Sequence, residues 1–433
     1  MQKYKLLRGQ EKSYLYYDSS MTLVSIDKKN ERVIDMHTNE QIESIRCAKN
    51  EIQIKKNDTY NFHDIERITL CVSNDCNLRC KYCYAQGGSF GVKRDLMSLE
   101  VAKRFVSFCK DSFDSISSIV FFGGEPLLNI DVIEYVCESI SQFYESKNVK
   151  TPDFCIVTNG TILNKSVLNL IRKYICRITV SIDGPKILHD SNRVYVNGTG
   201  SYEEVVKFIR QTKNIQNLQI SYEATYTEDA LKKGYNYVSL KNFFSDTLGI
   251  SGIIVDECNL DKKLPIDYIQ SITKEQIIES NFNCIPGGVW GILELLVNRK
   301  NNCFCNIGYK NFSVNTRGEI FACHLVNEKH KCSLGRIDGK NIFNTPQDFR
   351  ATICDVNKEC SACDECWCKN LCGGCTIECF YDKVSESILK IPNSSFCNNR
   401  KMYIEQALIL ISSIRSDKLL WSLLLGKINR GDI

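Results

Sequence analysis

The chain has 433 residues, a formal net charge of +4, and 43% hydrophobic and 24% charged residues, a globular composition that excludes a disordered, collagenous or coiled-coil protein. No apolar run approaches the roughly 20 residues that span a bilayer, and the polar, Lys-rich start lacks a signal-peptide core. We therefore expect a soluble, cytoplasmic protein that needs no membrane. The small net charge gives no reason to expect nucleic acid as a partner.

The first 65 residues contain short apolar runs separated by polar turns. These runs are Tyr14–Tyr17, Leu23–Ile26 and Ile52–Ile54. Short runs bounded by Asp, Ser, Lys and Asn are typical of strands joined by tight turns. We predict a small β-rich or α+β domain over residues 1–65.

Residues 66–265 alternate short apolar segments with longer amphipathic ones. The predicted strands are Ile68–Val72, Ile119–Phe122, Phe154–Val157, Ile178–Ile182, Gln219–Ala224 and Ile250–Val255. The predicted helices between them are Ser98–Cys109, Ile130–Tyr144, Asn164–Tyr174 and Tyr202–Lys213. This alternation indicates βαβ units and an α/β fold. Because six units are too few to close an eight-stranded barrel, we predict a partial (β/α)6 TIM-like barrel.

The last third of the chain is rich in cysteine. Residues 303–400 hold 13 of the 24 cysteines. The apolar spacing before them, over residues 266–302, predicts a helical linker, and the spacing after them, over residues 401–433, predicts an amphipathic helix. A secreted disulfide scaffold is usually a short chain with a signal peptide, which this chain does not resemble. The cysteines therefore indicate metal or redox chemistry.

Three cysteines, Cys76, Cys80 and Cys83, directly follow the first predicted βα strand. In a parallel α/β sheet this is the edge where ligands bind. Thiolates suit iron-sulfur clusters, and three of them leave one iron of a four-iron cluster open for a substrate or cofactor. The alternative interpretation is that these cysteines are three of the four ligands of a zinc site.

This C-x3-C-x2-C spacing resembles the signature of radical S-adenosylmethionine (SAM) enzymes. Further segments are similar to that family's motifs: Gly123–Pro126 to its GGEP motif, and Ser181–Pro185 to its SIDG segment. The resemblance implies that the GGEP backbone and Glu125 hold the SAM amino group, that Ser181 contacts the ribose, and that Arg193 contacts the carboxylate. The full set that it implies at the cofactor is Tyr82, Gly123, Gly124, Glu125, Pro126, Asn159, Ser181, Asp183 and Arg193.

The resemblance also implies the chemistry. SAM chelates the open iron, one electron from the reduced cluster cleaves it, and the resulting 5'-deoxyadenosyl radical abstracts a hydrogen atom from the substrate. Because the cofactor does this chemistry, the protein must position the substrate and exclude water and oxygen. An electron donor such as flavodoxin or ferredoxin is the implied partner.

The cysteine-rich region resembles the SPASM extension, which carries two auxiliary 4Fe-4S clusters in radical SAM proteins that modify peptides. The resemblance implies three 4Fe-4S clusters in all. The implied ligands of the first auxiliary cluster are Cys305, Cys323 and Cys375. Those of the second are Cys363, Cys366, Cys372 and Cys397. Cys303, or less favourably Cys284, is the candidate for the missing fourth ligand of the first cluster. Two structural zinc sites are the alternative.

Several segments look like maturases that join a peptide cysteine to a carbon atom as a thioether, as in sactipeptides and ranthipeptides. These segments are Tyr84–Gly91, Tyr222–Thr227 and Trp367–Cys375. The implied substrate is a ribosomally synthesised, Cys-containing precursor peptide. Residues 1–65 have the size of a truncated leader-binding domain, for which a purely structural cap is the alternative.

Two other functions stay open. An anaerobic sulfatase-type maturase would oxidise Cys or Ser to formylglycine and would need a carboxylate base, for which Asp256 or Glu257 is the candidate. A cluster-bearing redox or peptide-binding protein would need no radical chemistry. The cysteines expected in the core are Cys47, Cys71, Cys109, Cys137, Cys155 and Cys176. The histidines, expected at the surface or in turns, are His37, His63, His189, His324 and His330.

Overall fold

The computed structural model describes residues 4–9, 12–18, 21–26, 63–249, 253–257, 269–280, 282, 284–298, 305–345 and 360–430. Cys47, Cys303, Cys354, His37 and Ile52–Ile54 lie outside these residues. The described part contains strands and helices in alternation between residues 64 and 257. The predicted α/β class is therefore confirmed.

The strands are β1 (Tyr4–Arg8), β2 (Ser13–Tyr17), β3 (Thr22–Ile26), β4 (Asp64–Ser73), β5 (Ser115–Gly123), β6 (Asp153–Thr158), β7 (Ile175–Ser181), β8 (Gln219–Tyr226), β9 (Ile253–Glu257), β10 (Asn311–Val314), β11 (Glu319–Phe321), β12 (Ser333–Arg336), β13 (Tyr381–Asp382) and β14 (Ser387–Ile388). The helices are α1 (Leu99–Ser112), α2 (Ile130–Ser146), α3 (Lys165–Tyr174), α4 (Lys186–Asn192), α5 (Tyr202–Thr212), α6 (Glu228–Lys232), α7 (Tyr237–Leu248), α8 (Lys274–Glu279), α9 (Gly287–Asn298), α10 (Ser361–Asp364), α11 (Lys369–Cys372), α12 (Thr376–Phe380), α13 (Ser394–Ser416) and α14 (Lys418–Arg430).

The main sheet has nine strands in the order β12-β11-β10-β4-β5-β6-β7-β8-β9. Strands β4 to β9 are parallel and neighbour one another in chain order. These are the six predicted strands, most of them longer than the apolar runs that predicted them. Parallel neighbours in chain order bring all six C-terminal strand ends to one edge of the sheet.

The sheet continues beyond the six predicted strands. Strand β10 pairs in parallel with β4, and β11 and β12 follow as antiparallel neighbours. Ser313 of β10 lies opposite Thr69 of β4. The beginning of the cysteine-rich region is therefore hydrogen-bonded to the strand that leads into Cys76, Cys80 and Cys83.

The two faces of the parallel sheet differ in their side chains. Residues such as Leu70, Val72 and Tyr222 belong to the main hydrophobic core with residues of α1, α2, α3 and α5. Alternate residues, among them Cys71 and Glu223, point to the opposite side because strand side chains alternate. We call this opposite side the inner face.

A second apolar core joins the N-terminal sheet of β1, β2 and β3 to the C-terminal helices. Leu7 and Tyr16 pack in it with Leu408 and Ile411 of α13. Two helices stand where one was predicted, because the Asp417 carboxylate accepts hydrogen bonds from two amides of α14 and starts a new helix. Among the described residues, no helix has the length and apolar character to cross a membrane.

Candidate active site

The first cysteine loop, Cys76–Cys83, follows β4 at the C-terminal edge of the parallel strands. All three thiol side chains are partly buried. The Cys83 amide donates to the Cys80 carbonyl at 3.1 Å, which closes a turn. The amides of Arg79 and Lys81 donate to carbonyls at and just after the end of α4, at 2.6 and 3.0 Å. The loop is thereby fixed between β4 and α4.

The glycine pair at the end of β5 packs against the backbone that enters this loop. The amide of Gly124 donates to Ser73 at 2.9 Å, and that of Glu125 donates to Asp75 at 2.8 Å. A Cβ atom on Gly123 would lie 2.1 Å from the Ser73 carbonyl oxygen, and one on Gly124 would lie 2.1 Å from that of Asp75. Only glycine allows this close backbone approach.

The sulfur atoms of the loop accept hydrogen bonds from nitrogen donors. The Leu78 amide and the Asn159 side-chain amide lie 3.4 and 3.6 Å from Cys76 Sγ. The Gly87 amide lies 3.3 Å from Cys83 Sγ. Burial raises the pKa of Cys76 to about 12, so a bound cation is needed to make it a thiolate. Three thiols on one loop, two of them with N–H donors to sulfur, fit a 4Fe-4S cluster.

Glu125 joins the end of β5 to the end of β6. Its buried carboxylate accepts hydrogen bonds from the Thr158 hydroxyl at 2.7 Å and the Asn159 amide at 2.8 Å. The Leu127 amide donates to it at 3.1 Å. Burial raises the pKa of Glu125 to about 7. The side chain therefore sets the relative position of two strand ends beside Cys76.

A buried ion pair lies next to the first cysteine loop. Arg193 Nε is 2.9 Å from Asp183 Oδ1, and the side chains are only 9% and 1% exposed. The Tyr82 hydroxyl donates to the other Asp183 oxygen at 2.5 Å, and the Arg193 guanidinium lies 5.4 Å from the Tyr82 ring centroid. The Thr225 amide also donates to Asp183 at 3.0 Å. Asp183 thus ties the loop to the end of α4 and to β8.

His189 is fully buried in α4 behind this ion pair, so its predicted place at the surface or in a turn is wrong. Its Nδ1 accepts from the Asp183 amide at 3.4 Å, and its Nε2 lies 3.0 Å from Ser201 Oγ, which donates to the Arg193 carbonyl. Burial lowers the pKa of His189 to about 4. The neutral imidazole therefore supports Asp183 and Arg193 from behind. No spacing pattern in the sequence marks this role.

The inner face places polar groups between the first cysteine loop and the cysteine-rich region. Tyr84 is 53% exposed, yet desolvation by the surrounding protein raises its pKa, as do charges at Cys71, Cys323, Cys83 and Glu223. Tyr84 is therefore an accessible aromatic side chain near the first cysteine loop and these other groups.

Ser181 and Glu223 lie side by side at this inner face. Ser181 ends β7 and is in register with Glu223 of β8. Both are partly exposed, whereas Tyr222 and Ala224 are buried on the other face. Glu223 is a carboxylate that the sequence pattern did not single out. Asp256 and Glu257 lie in β9, but their side chains fall outside the described residues.

The three proposed ligands of the first auxiliary cluster lie near one another. Burial raises the pKa of Cys323 to about 11, with further contributions from the charges of Cys375 and Cys305. Asn311 donates to Cys305 Sγ at 3.7 Å. Cys284, the weaker candidate for a fourth ligand, has its amide bonded to Ser280 at 3.2 Å.

The four proposed ligands of the second auxiliary cluster form another group. Burial raises the pKa of Cys372, and charges at Cys366 and Cys397 contribute. Burial likewise raises the pKa of Cys363 to about 12, with contributions from Cys397 and Cys372. The Cys368 thiol, 3.6 Å from Cys366 Sγ, lowers the pKa of Cys366 to about 6 by hydrogen bonding.

The remaining described cysteines of this region, Cys332, Cys360, Cys368 and Cys379, are buried. Burial raises the pKa of Cys379, and charges at Cys372 and Cys375 contribute. Within the described residues, no three or more His, Cys, Asp or Glu side chains are arranged to hold a single metal ion.

Comparisons with known proteins agree with this geometry. Residues 70–221 match the model of the Radical SAM superfamily. A cysteine-type anaerobic sulfatase-maturating enzyme of Clostridium perfringens is 26% identical over 362 residues, which cover 77% of this chain and 94% of that enzyme. The radical SAM cyclopropyl synthase TigE of Paramaledivibacter caminithermalis is 25% identical over 290 residues, covering 60% of this chain and 57% of the synthase.

A solved structure, anSMEcpe with bound AdoMet and the Cp18Cys peptide, has the same fold. Its TM-score is 0.63 at 20% sequence identity, and the match covers 81% of this chain and 99% of that one. The superfamily match begins within β4 and ends within β8, so it includes the first cysteine loop and the Asp183–Arg193 pair. Residues 70–221 of this chain therefore form a radical SAM domain.

Proposed function

We propose that this protein is a radical SAM maturase that forms a thioether between a cysteine sulfur and a carbon atom of a ribosomally made precursor peptide. The observation that carries the proposal is the parallel pairing of β10 with β4, which joins the start of the cysteine-rich region to the strand that leads into the first cysteine loop. A peptide bound at this edge of the sheet, beside the exposed Tyr84, would meet both the SAM site and the first auxiliary group. The relatives named above include a cysteine-type sulfatase maturase, whose name supports a peptide cysteine as the reacting residue.

The residues that would hold SAM and its cluster surround the first cysteine loop. Cys76, Cys80 and Cys83 would bind the cluster, and the Tyr82, Asp183 and Arg193 network would orient the loop beside it. When bound, the cluster and SAM supply one-electron chemistry that activates an unreactive C–H bond. An open polar cavity at this rim, lined by Lys81, Tyr82, Asn192 and Thr227 among others, suits a polar ligand.

The thiol of the peptide must lose its proton before its sulfur can bond to carbon. Glu223 projects into the inner face beside Ser181, within electrostatic reach of Tyr84. Its carboxylate is the group that we propose accepts this proton. The S–H bond then breaks heterolytically, with the proton on Glu223 and the electron pair on sulfur. That pair would form the bond to the carbon atom that has lost its hydrogen atom, and the one excess electron would pass to the first auxiliary cluster.

A sulfatase-type oxidation of cysteine to formylglycine is the second candidate, favoured by the likeness to the Clostridium perfringens enzyme. It also begins at a peptide cysteine, so the same inner face and the same carboxylate suit it. The two reactions differ in their product. A thioether carries no free thiol and no aldehyde, whereas formylglycine reacts with hydrazides.

The test is anaerobic reconstitution with iron and sulfide, followed by SAM, dithionite and the small Cys-rich peptide encoded beside the gene. We expect 5'-deoxyadenosine and a peptide that has lost two hydrogen atoms per crosslink and resists thiol alkylation. A matched peptide with Ser in place of each Cys should stay unchanged. A hydrazide-reactive product would establish the second candidate, and an unchanged Cys peptide would overturn both.

Other parts of the proposal concern the setting of the reaction. Two auxiliary 4Fe-4S clusters would occupy the two cysteine groups of the C-terminal region. Flavodoxin or ferredoxin would supply electrons, and the reaction would take place in the cytoplasm. Residues 1–65 would bind the leader of the peptide, with β3 as an outer strand of the described N-terminal sheet.

A further inference from the structure

The N-terminal sheet contacts the second cysteine loop, Cys366–Cys372, which carries two proposed cluster ligands. The Asn370 backbone amide lies 3.2 and 3.4 Å from the two carboxylate oxygens of Asp18. The Asn370 side-chain amide donates to the Asp18 carbonyl at 3.0 Å. Asp18 therefore holds both the main chain and the side chain of a residue between the two ligands.

Other contacts fix the Asp18 carboxylate. The hydroxyl of Tyr16, a fully buried residue of β2, donates to Asp18 Oδ1 at 3.0 Å. The Tyr16 ring meets the Trp367 ring edge-on, with centroids 6.2 Å apart. The Lys5 ammonium lies 5.4 Å from the same indole centroid and 3.3 Å from Glu405 of α13. Strands β1 and β2 thus form one wall of the second cysteine loop.

Apolar packing joins the same two segments. Cys368 and Leu371 belong to the hydrophobic core that contains Leu7, Tyr14 and Tyr16. A carboxylate that is partly withdrawn from water is retained where hydrogen bonds compensate for its lost solvation. The polar contacts of Asp18 therefore fix the relative orientation of the N-terminal sheet and the second cysteine loop, whose apolar side chains already pack together.

We propose that Asp18 is a positioning residue for the second auxiliary cluster. Its carboxylate, oriented by Tyr16, fixes the main chain at Asn370 and thereby the separation of Cys366 and Cys372. The inference rests on the proposed function only in taking Cys363, Cys366, Cys372 and Cys397 as the ligands of a 4Fe-4S cluster. The N-terminal sheet is then a structural support of that cluster as well as a surface available to the peptide.

The charge of Asp18 gives the proposal a second consequence. A negative charge near a cluster disfavours the extra electron of its reduced form, so it lowers the reduction potential. Because burial raises the pKa of Asp18 to about 7, the potentials are measured above pH 8, where the carboxylate is ionised. Removing the charge while keeping an acceptor oxygen should raise the potential of one cluster. Removing the acceptor altogether should release the loop and lose the cluster.

The test uses full-length protein reconstituted anaerobically, with Asp18→Asn, Asp18→Ala and Tyr16→Phe. The control is Asp246→Asn, at an exposed Asp of α7. Wild type should bind about 12 irons, the content of three four-iron clusters. We expect D18A to lose about four of them, and D18N to keep them while one of three midpoint potentials in an EPR-monitored titration rises. Y16F should show a smaller rise, and D246N none.

Full iron content and unchanged midpoint potentials in D18A and D18N would overturn the inference. If D18A does not fold, D18N and Y16F decide, since both keep the shape of the side chain. Wild type with only about four irons would instead overturn the auxiliary clusters and the inference with them. Either result can be told apart from a failure of the peptide assay, because neither the iron content nor the midpoint potential depends on turnover of the peptide.

Discussion

The two sets of cysteines differ in how the fold positions them. Cys76, Cys80 and Cys83 lie on one short loop that follows β4 and is hydrogen-bonded at the end of α4. The second set extends from Cys305 to Cys397. Its members come close to one another only because a sheet edge, several short helices and α13 pack together. The first set is specified locally and the second by long-range packing. Substitutions distant in sequence should therefore disturb the second set more readily.

The most severe test of this difference is Cys76→Ala. Because one ligand of a three-thiolate site is lost, we expect 5'-deoxyadenosine formation to fall to background while the auxiliary clusters stay. Iron content should fall by about four of about 12. Chromatography of the reaction and iron analysis measure both effects, with Cys176→Ala, at a half-buried cysteine outside both sets, as the control. Loss of all iron would show that the two sets do not form independently.

One of the long-range ties of this loop is the hydrogen bond from Tyr82 to Asp183, and Asp183→Asn weakens it. The substitution leaves Arg193 buried without its counter-charge, so the free energy of unfolding should fall by about 3–5 kcal/mol. The dissociation constant for SAM should rise with it. Urea denaturation and calorimetric SAM titration check this. Asp153→Asn, at an exposed ion pair, should change stability by about 1 kcal/mol or less. Equal effects of the two substitutions would contradict the tie.

The inner face between the two sets is probed by Glu223→Gln. Because the amide cannot take the thiol proton, we expect peptide product to form about 100-fold more slowly. Formation of 5'-deoxyadenosine should change by less than about twofold, since its chemistry needs no thiol. Glu134→Gln, on the outer surface of α2, is the matched control. A parallel loss of SAM cleavage would place Glu223 at the cofactor instead.

His189, which lies behind the Asp183–Arg193 pair, should make the free energy of unfolding depend on pH, with a smaller effect than the substitutions above. Burial lowers the pKa of His189 from 6.5 to about 4, so the unfolded chain binds its proton more readily than the folded one. The stability that neutral His189 contributes is complete above pH 6.5 and is lost as the pH falls towards 4. Between pH 7 and pH 5 the loss should be about 2 kcal/mol. His189→Gln should remove this component of the pH dependence in urea titrations, and an unchanged profile would refute it.

The six parallel strands were predictable because buried strands of a parallel sheet are continuous apolar runs. Strands β10, β11 and β12 were not, since each has only three or four residues and its partner lies far away in the chain. The break at Asp417 was missed because apolar spacing continues through it. A capping side chain changes the helix without changing that periodicity.

The first cysteine loop and its glycine pair were found from sequence because each needs a particular residue type at a fixed spacing. The buried position of His189 and the roles proposed for Glu223 and Asp18 were not, because they depend on what the chain places opposite these residues. The place of His189 in the sequence predicts no role, because that role depends on its neighbours in the fold, Asp183 and Ser201. The same holds for Asp18, whose partner Asn370 is distant in sequence.

The parallel pairing of β10 with β4 has a consequence for shortened forms of the protein. Without the C-terminal region, β4 would become the border of the remaining sheet and expose unpaired amides and carbonyls along its length. Such a border favours association with other chains. A fragment cut before residue 305 should thus aggregate rather than persist as a minimal SAM-cleaving catalyst.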